Sequence, residues 1–281
     1  MNNIYPTPEE FLTKTNHYYP PSNTTVFEDY FLQRFKSENP QTNRMYLPVQ
    51  WTCTYLRDGT FSKEQINLSL QNFLDKIPRD KKYFTVVQWD DGVLNNLDGL
   101  DIKIFASGGV GDYPIPLICM PNEIIQKPRD IFASFIGVIT GRGNGTRFTI
   151  QNDFGQLKGY KISEMTNFDD FKDTMSRSIF SLCPRGYGKT SFRICEALNL
   201  GSIPVYVYDE PWIPFNDILD FTTYGVLIHK PEIYKIDKTL KSFSNEQIEQ
   251  LRETGKHVYK NYYTYEGCYD RIIEILANEY D

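Results

Sequence analysis

The chain has 281 residues, 40% of them hydrophobic and 23% charged, with a net charge of −6, a balance that allows one large packed domain or two smaller ones. The negative charge and the lack of a basic run argue against the electrostatic footprint of a phosphate-backbone reader, so nucleic acid is not an expected partner. No apolar run reaches the roughly 18 residues that would mark a membrane span, and five scattered cysteines without metal-site spacing point to free thiols in a reducing compartment.

In chain order, residues 8–15 predict a short helix, and 26–36 a second one, with Phe27, Tyr30, Phe31 and Phe35 at helical spacing. Residues 44–54 read as an apolar strand and 63–75 as a helix. The β-rich run 83–89 predicts a strand, with further strands at 101–107 and 116–120. The segment 120–130, MPNEIIQKPRD, has two prolines and no clear period, and reads as a linker. A strand over 131–140, a tight polar loop GRGNGTR and a helix over 169–176 follow. Strand 179–183, helix 191–199 and strands 203–208 and 225–229 come next, and amphipathic helices over 244–261 and 265–278 close the chain. Strands alternating with helices predict an α/β protein with parallel sheets. The expected division is 1–125 and 126–281, with the last helix able to pack back on the first domain.

The stretch 178–220 carries the most chemistry. It runs from a strand through a turn with Gly186 and Gly188 into a helix, then through Gly201 into a second strand. A loop that opens a helix offers unpaired N–H groups and the positive end of the helix dipole to an anion. The helix places Arg193 and Glu196 on one face. A cation there suits a diphosphate and a carboxylate suits a ribose diol. The run PRGYGKT fails as an NTPase P-loop, because the position five residues before Gly188, where the motif requires a glycine, is Cys183.

These residues also carry a resemblance. SLCPRGYGKTSFRICEALNLGSIPV followed by PFNDILD is similar to the signature of the exostosin-like glycosyltransferases, family 47. The family pattern runs roughly F-C-L-x-P-x-G, S-x-R-x-x-E-A, G-x-I-P-V and P-F-x-D. Upstream, RMYLPVQWTCTYL, YFTVVQWDDG and PRDIFASFIGVIT resemble its strands ending in F-x-V-P, H-D-x-G and F-x-G. The resemblance implies a GT-B fold, two Rossmann-like α/β domains facing across a cleft. It further implies an inverting transfer of a sugar from UDP to a glycan hydroxyl. Family donors include UDP-glucuronate, UDP-galactose, UDP-arabinose and UDP-xylose, and UDP-xylose is the favoured expectation. The anchor-free N-terminus is similar to that of the exostosin-like enzymes of large algal viruses, which implies a cytoplasmic location. A rival expectation is a non-catalytic carbohydrate-binding or partner subunit with a retained nucleotide site.

On this reading the donor site is Arg193 for the diphosphate and Glu196 for the ribose. Gly186, Tyr187, Gly188, Thr190 and Ser191 form the cradle, and Arg142, Arg147 and Arg185 supply further positive charge. A metal-dependent transferase needs an Asp-x-Asp pair to hold the ion on the diphosphate, and the chain has none, so neither metal nor cofactor is expected. An inverting transfer needs a group to take the acceptor's proton. Asp90 falls on the Asp of H-D-x-G, with Trp89 replacing the His, and Asp91 is the alternative. Trp51, Trp89 and Trp212 are candidate faces for sugar stacking.

Overall fold

A computed structural model describes residues 3–13, 26–60, 62–65, 67–119, 121, 127–139, 145–165 and 167–278. The chain divides into two compact units, Met1–Ile118 with Tyr265–Asp281, and Cys119–Thr264. The division falls at Ile118/Cys119 rather than at 125/126, and the closing helix groups with the first unit.

In the first unit, a single 3-10 turn at Glu9–Phe11 stands within the expected 8–15 helix, whose last residues lie outside the described ones. Helix α1 (Phe27–Glu38) buries Phe27, Phe31 and Phe35 on one face, as their spacing requires. The apolar run 44–54 is not one strand. It gives a two-residue β1 (Met45–Tyr46) and then helix α2 (Trp51–Asp58). A fully buried helix start carries no polar face, so its sequence cannot be told from a buried strand. Helix α3 (Leu68–Leu74) is capped by Asn67, whose side chain accepts from Leu70 N. Strands β2 (Lys82–Val87), β3 (Asp101–Ala106) and β4 (Tyr113–Pro114) follow, and the expected strand at 116–120 is absent among the described residues. The sheet is wholly parallel, in the order β1-β2-β3-β4.

The second unit begins its sheet with β5 (Ile131–Ile136), followed by α4 (Thr146–Phe154), β6 (Tyr160–Ser163), α5 (Phe168–Arg177) and β7 (Ser178–Pro184). Helix α6 (Phe192–Asn199), β8 (Ile203–Tyr208), β9 (Val226–His229), α7 (Ile236–Lys241) and α8 (Asn245–Tyr262) complete it. Its sheet is also parallel, in the order β6-β5-β7-β8-β9. Ala133, Phe180, Leu182, Val205 and Val207 lie at the centre of its core. Helix α9 (Tyr265–Asn278) belongs to the first unit, where Tyr269 meets Phe31 at 4.9 Å between ring centroids and Arg34 pairs with Asp270 at 2.7 Å.

Much of the aromatic content is core. Tyr46 stacks on Phe84 at 5.0 Å, and Phe31 and Phe35 close around the same pair. Trp51 is fully buried and donates its indole N–H to Thr85 Oγ1 at 2.8 Å. It is therefore a core residue and no sugar platform, because the polar edge that would reach a ligand is spent inside the fold.

Candidate functional site

The strand order of the second unit fixes where a ligand can sit. From β5 the chain crosses to β6 on one side, then returns to β7 on the other. The order reverses between β5 and β7, and the carboxyl ends of the two strands splay loops away from each other there. In open α/β sheets that crevice is the ligand site.

At the end of β5 stand Phe135, Ile136 and Gly137. The Arg193 guanidinium lies over the Phe135 ring, 4.6 Å from its centroid, and donates from Nε and Nη2 to the Ile136 carbonyl. A Cβ at residue 137 would collide with that guanidinium, so any larger residue there would displace Arg193 from the carbonyl. Arg147 lies 5.6 Å from the centroid of the same ring and donates to Val138 O at 2.9 Å and Arg185 O at 3.3 Å. Arg147 thus lies in the first turn of α4, and not in a loop as its neighbours Gly143 and Gly145 suggest. Arg142 lies outside the described residues. Two guanidinium groups converge on one strand end.

At the end of β7, residues 185–191 form the loop that opens α6. Its shape is held from within. Arg185 donates from Nε to Gly188 O at 3.0 Å, from Nη2 to Tyr187 O at 2.9 Å, and from Nη1 to both Asp209 oxygens at 2.8 and 2.9 Å. Arg185 therefore braces the loop with all three of its nitrogens. Tyr206 Oη donates to Lys189 O, and Gly186 N donates to Thr190 O at 3.1 Å. Four of its carbonyls, those of Tyr187, Gly188, Lys189 and Thr190, are thus already engaged. The N–H groups of Tyr187, Gly188, Lys189, Thr190 and Ser191 meet no acceptor among the described residues. Ser191 caps α6, its hydroxyl accepting from Arg193 N at 3.3 Å. Thr190 is buried and its hydroxyl has no partner among the described residues. Tyr187 is 70% exposed at the loop tip.

One turn into α6, Glu196 is half-buried and its carboxylate makes no hydrogen bond or ion pair with any described residue. Burial raises its pKa, and the nearby Arg193 charge opposes the rise. Burial lowers the pKa of Arg193, with Glu196 and Cys183 acting against it. The pair is electrostatically coupled without touching, and both side chains keep capacity for a ligand. Among the described residues, no group of three or more His, Cys, Asp or Glu side chains gathers in a way that would hold a metal ion. No helix of the described residues is long and apolar enough to cross a membrane.

Residues 112–243, which include this whole site, match the Exostosin GT47 domain. Over these residues the chain is similar to the exostosin-like GT47 domain. A probable glucuronosyltransferase of Physcomitrium patens is 32% identical over 132 residues, covering 44% of this chain and 29% of its own length. A probable beta-1,4-xylosyltransferase of Arabidopsis thaliana is 32% identical over 149 residues, 50% of this chain and 36% of its own. The chain thus spans about a third of the length of these relatives. A solved structure of an Anabaena protein, Alr3699/HepE in complex with UDP-glucose, aligns with 89% of this chain and 82% of its own at a TM-score of 0.47 and 8% identity.

Within the matched residues, Trp212 is half-buried, with its backbone N–H on Tyr206 Oη at 3.3 Å. Lys189 pairs with Glu210 at 2.6 Å. Sequence reasoning gave no role to Phe135, Gly137, Asp209 or Tyr206. Gly137, after an aromatic at a strand end, was the one available signal.

Asp90 and Asp91 lie in the first unit, past the end of β2. The strand stops at Val87, and Trp89–Gly92 is a turn closed by Gly92 N donating to Trp89 O at 3.0 Å. Gly92 has φ +68°, and a Cβ there would strike Val110 O, while one on Gly108 would strike Asp90 Cα. Asp90 and Asp91 therefore sit in a turn, where the strict alternation of a strand does not set the direction of their side chains. Trp89 is half-buried against Tyr55 at 5.9 Å.

Proposed function

We propose that this protein is a glycosyltransferase of GT-B type that moves a sugar from a UDP carrier to a glycan hydroxyl, with inversion and without a metal ion. The observation that carries the reading is the crevice at the β5/β7 switch. Five consecutive amides without an acceptor among the described residues lead into α6 after β7, and two guanidinium groups lie over Phe135 at the end of β5. Such an arrangement suits the two negative charges of a diphosphate better than any neutral ligand. The Glu196 carboxylate nearby suits a ribose diol, which donates two hydrogen bonds to a group that here lacks any.

The chemistry follows from these roles. The acceptor oxygen attacks the anomeric carbon, the bond from that carbon to the diphosphate oxygen breaks, and UDP leaves. Arg193, Arg147 and the loop amides stabilise charge that grows on the leaving phosphate. The acceptor's proton is assigned to Asp90, with Asp91 as the alternative. Names of the relatives carry glucuronate and xylose, and UDP-xylose is our favoured donor.

The test is a thermal-shift panel of UDP, UDP-sugars, GDP and ATP with and without magnesium. UDP should stabilise the protein without added metal, by about 3 kcal/mol at ~100 times its Kd. Stabilisation by ATP but not UDP, or only with magnesium, would count against the reading.

A further inference from the structure

Glu28, in the first turn of α1, is 1% exposed, yet forms no ion pair with any described residue. Its Oε1 accepts from Thr52 Oγ1 at 2.8 Å and from Gln88 N at 2.7 Å, and its Oε2 accepts from Thr52 N at 3.0 Å. Thr52 stands in the first turn of α2, a helix whose N-cap residue, Gln50, offers no side-chain cap. Glu28 fills that place from a different helix, with its charge at the positive end of the α2 dipole. Gln88 directly follows β2, and its own Oε1 accepts from Phe27 N at 2.9 Å. The start of α1 and the end of β2 are therefore tied in both directions.

A glutamine with its oxygen at the Oε1 position would turn an N–H group towards Thr52 N, giving up the 3.0 Å bond to Oε2 and keeping only the longer 3.3 Å contact to Oε1. Burying a carboxylate without a cation is costly, and an apolar residue would pack α1 with less penalty. What the carboxylate alone supplies is a fixed meeting point for α2 and the end of β2. Two residues past Gln88 is Asp90, in the tight turn that Gly92 and Gly108 permit.

We infer that Glu28 is a positioning residue, whose carboxylate fixes the end of β2 against the start of α2 and so sets the aim of the Trp89–Gly92 turn. The inference rests on the reading of Asp90 as proton acceptor. Burial pushes the Glu28 pKa up to about 7, against the Gln88 and Thr52 hydrogen bonds. The titratable groups that face it are Tyr46 of β1 and Tyr55 of α2, both kept neutral by burial, with Asp29 next to it on α1. The proton that Glu28 gains competes with the Thr52 and Gln88 donors for the carboxyl oxygens, so the hold on the turn loosens as Glu28 is protonated.

The experiment compares wild type, Glu28→Gln and Thr52→Val by UDP release from UDP-xylose, with water or an added oligosaccharide as acceptor, across roughly two pH units either side of neutrality. UDP affinity is measured separately by calorimetry. Wild-type kcat should fall on the acid side with an apparent pKa of about 7. Glu28→Gln should lower kcat by about tenfold or more and flatten that limb, with KM for UDP-xylose and UDP affinity little changed. Thr52→Val removes one donor, keeps the carboxylate and should shift the limb while lowering kcat less. Should Glu28→Gln fail to fold, the Thr52→Val limb carries the same test. A kcat and pH profile unchanged in the variants would overturn the inference, as would a loss of kcat that keeps the acid limb intact. Absence of UDP binding to the wild type would instead overturn the functional reading.

Discussion

The Arg193 guanidinium lies over the face of Phe135 at 4.6 Å and donates to the very next carbonyl, that of Ile136. This one relationship explains three positions of the sequence together. The aromatic provides a face for the cation, worth about 0.5–2 kcal/mol in such settings. Gly137 leaves the space the guanidinium occupies, and the helix start at Ser191 sets the height from which Arg193 reaches across. The second guanidinium, that of Arg147, approaches the same ring at 5.6 Å. A dianion bound at this strand end would have both cations to pair with.

Gly137→Ala tests whether the close approach matters. The added methyl group would meet the Arg193 guanidinium, and the side chain would have to leave the Phe135 ring. Overpacking of this kind costs about 1–3 kcal/mol, and UDP affinity should fall by about tenfold or more. Denaturant unfolding and UDP calorimetry on the same preparation measure both effects. Unchanged UDP affinity in a folded Gly137→Ala protein would show that the position of Arg193 is immaterial to the ligand.

Glu196→Ala separates binding from stability. The carboxylate makes no hydrogen bond with a described residue, and burial raises its pKa, so its charge does not help the fold. With the folded pKa above the unfolded one, this group's contribution to stability falls as pH rises through that interval. The alanine variant should therefore melt no lower than wild type at neutral pH. Donor affinity should drop by about 10- to 150-fold, the worth of a hydrogen bond to a charged group. A lower melting temperature with unchanged UDP affinity would make Glu196 structural.

The same sign argument gives a pH prediction for Glu28. Its pKa rises from 4.5 to about 7 in the fold, so the folded state holds a proton that the unfolded chain has already lost. Stability should fall between those values by on the order of 3 kcal/mol. Glu28→Gln should remove that slope, giving a flatter dependence of unfolding free energy on pH. Urea titrations at several pH values read it directly, and an equal slope in both proteins would mean that Glu28 keeps an ordinary pKa.

Much of the second unit was legible because its strands are short apolar runs between turn signals, and because Ser191 marks the start of α6. The unit α4–β6 was missed. Thr146, Arg147, Ile150 and Phe154 are its buried helix positions, and two of these four are polar, which breaks the apolar period. The run 44–54 misled for another reason: Trp51, Thr52, Cys53 and Thr54 alternate apolar and polar as a strand would, yet all four are buried in the start of α2. Arg193 and Glu196 could be picked out because charge on a helix after a glycine loop has few uses. Arg185 could not be told from a ligand-binding arginine, since its partner Asp209 lies 24 residues away in sequence. Glu28 looked like an ordinary first-turn acid, and only the fold shows it buried against a second helix.

The last prediction concerns the proton acceptor. Asp90→Asn should leave UDP affinity intact, since the amides and guanidinium groups described above all belong to the second unit. Turnover should fall by about 10²–10⁴, the usual worth of a general base, because the amide keeps the shape of the carboxylate but cannot take a proton. Asp91→Asn is the comparison. The two residues sit in a turn closed from Gly92 to Trp89, so a turn and not strand alternation decides which side chain reaches the acceptor. The turn is pinned on one side by Val110 and on the other by Gly108, which leaves little room for either aspartate to replace the other. One substitution should therefore be severe and the other mild. Loss in Asp91→Asn with activity kept in Asp90→Asn would move the role by one residue. Two mild effects, in proteins that still bind UDP, would remove the proton acceptor from this turn altogether.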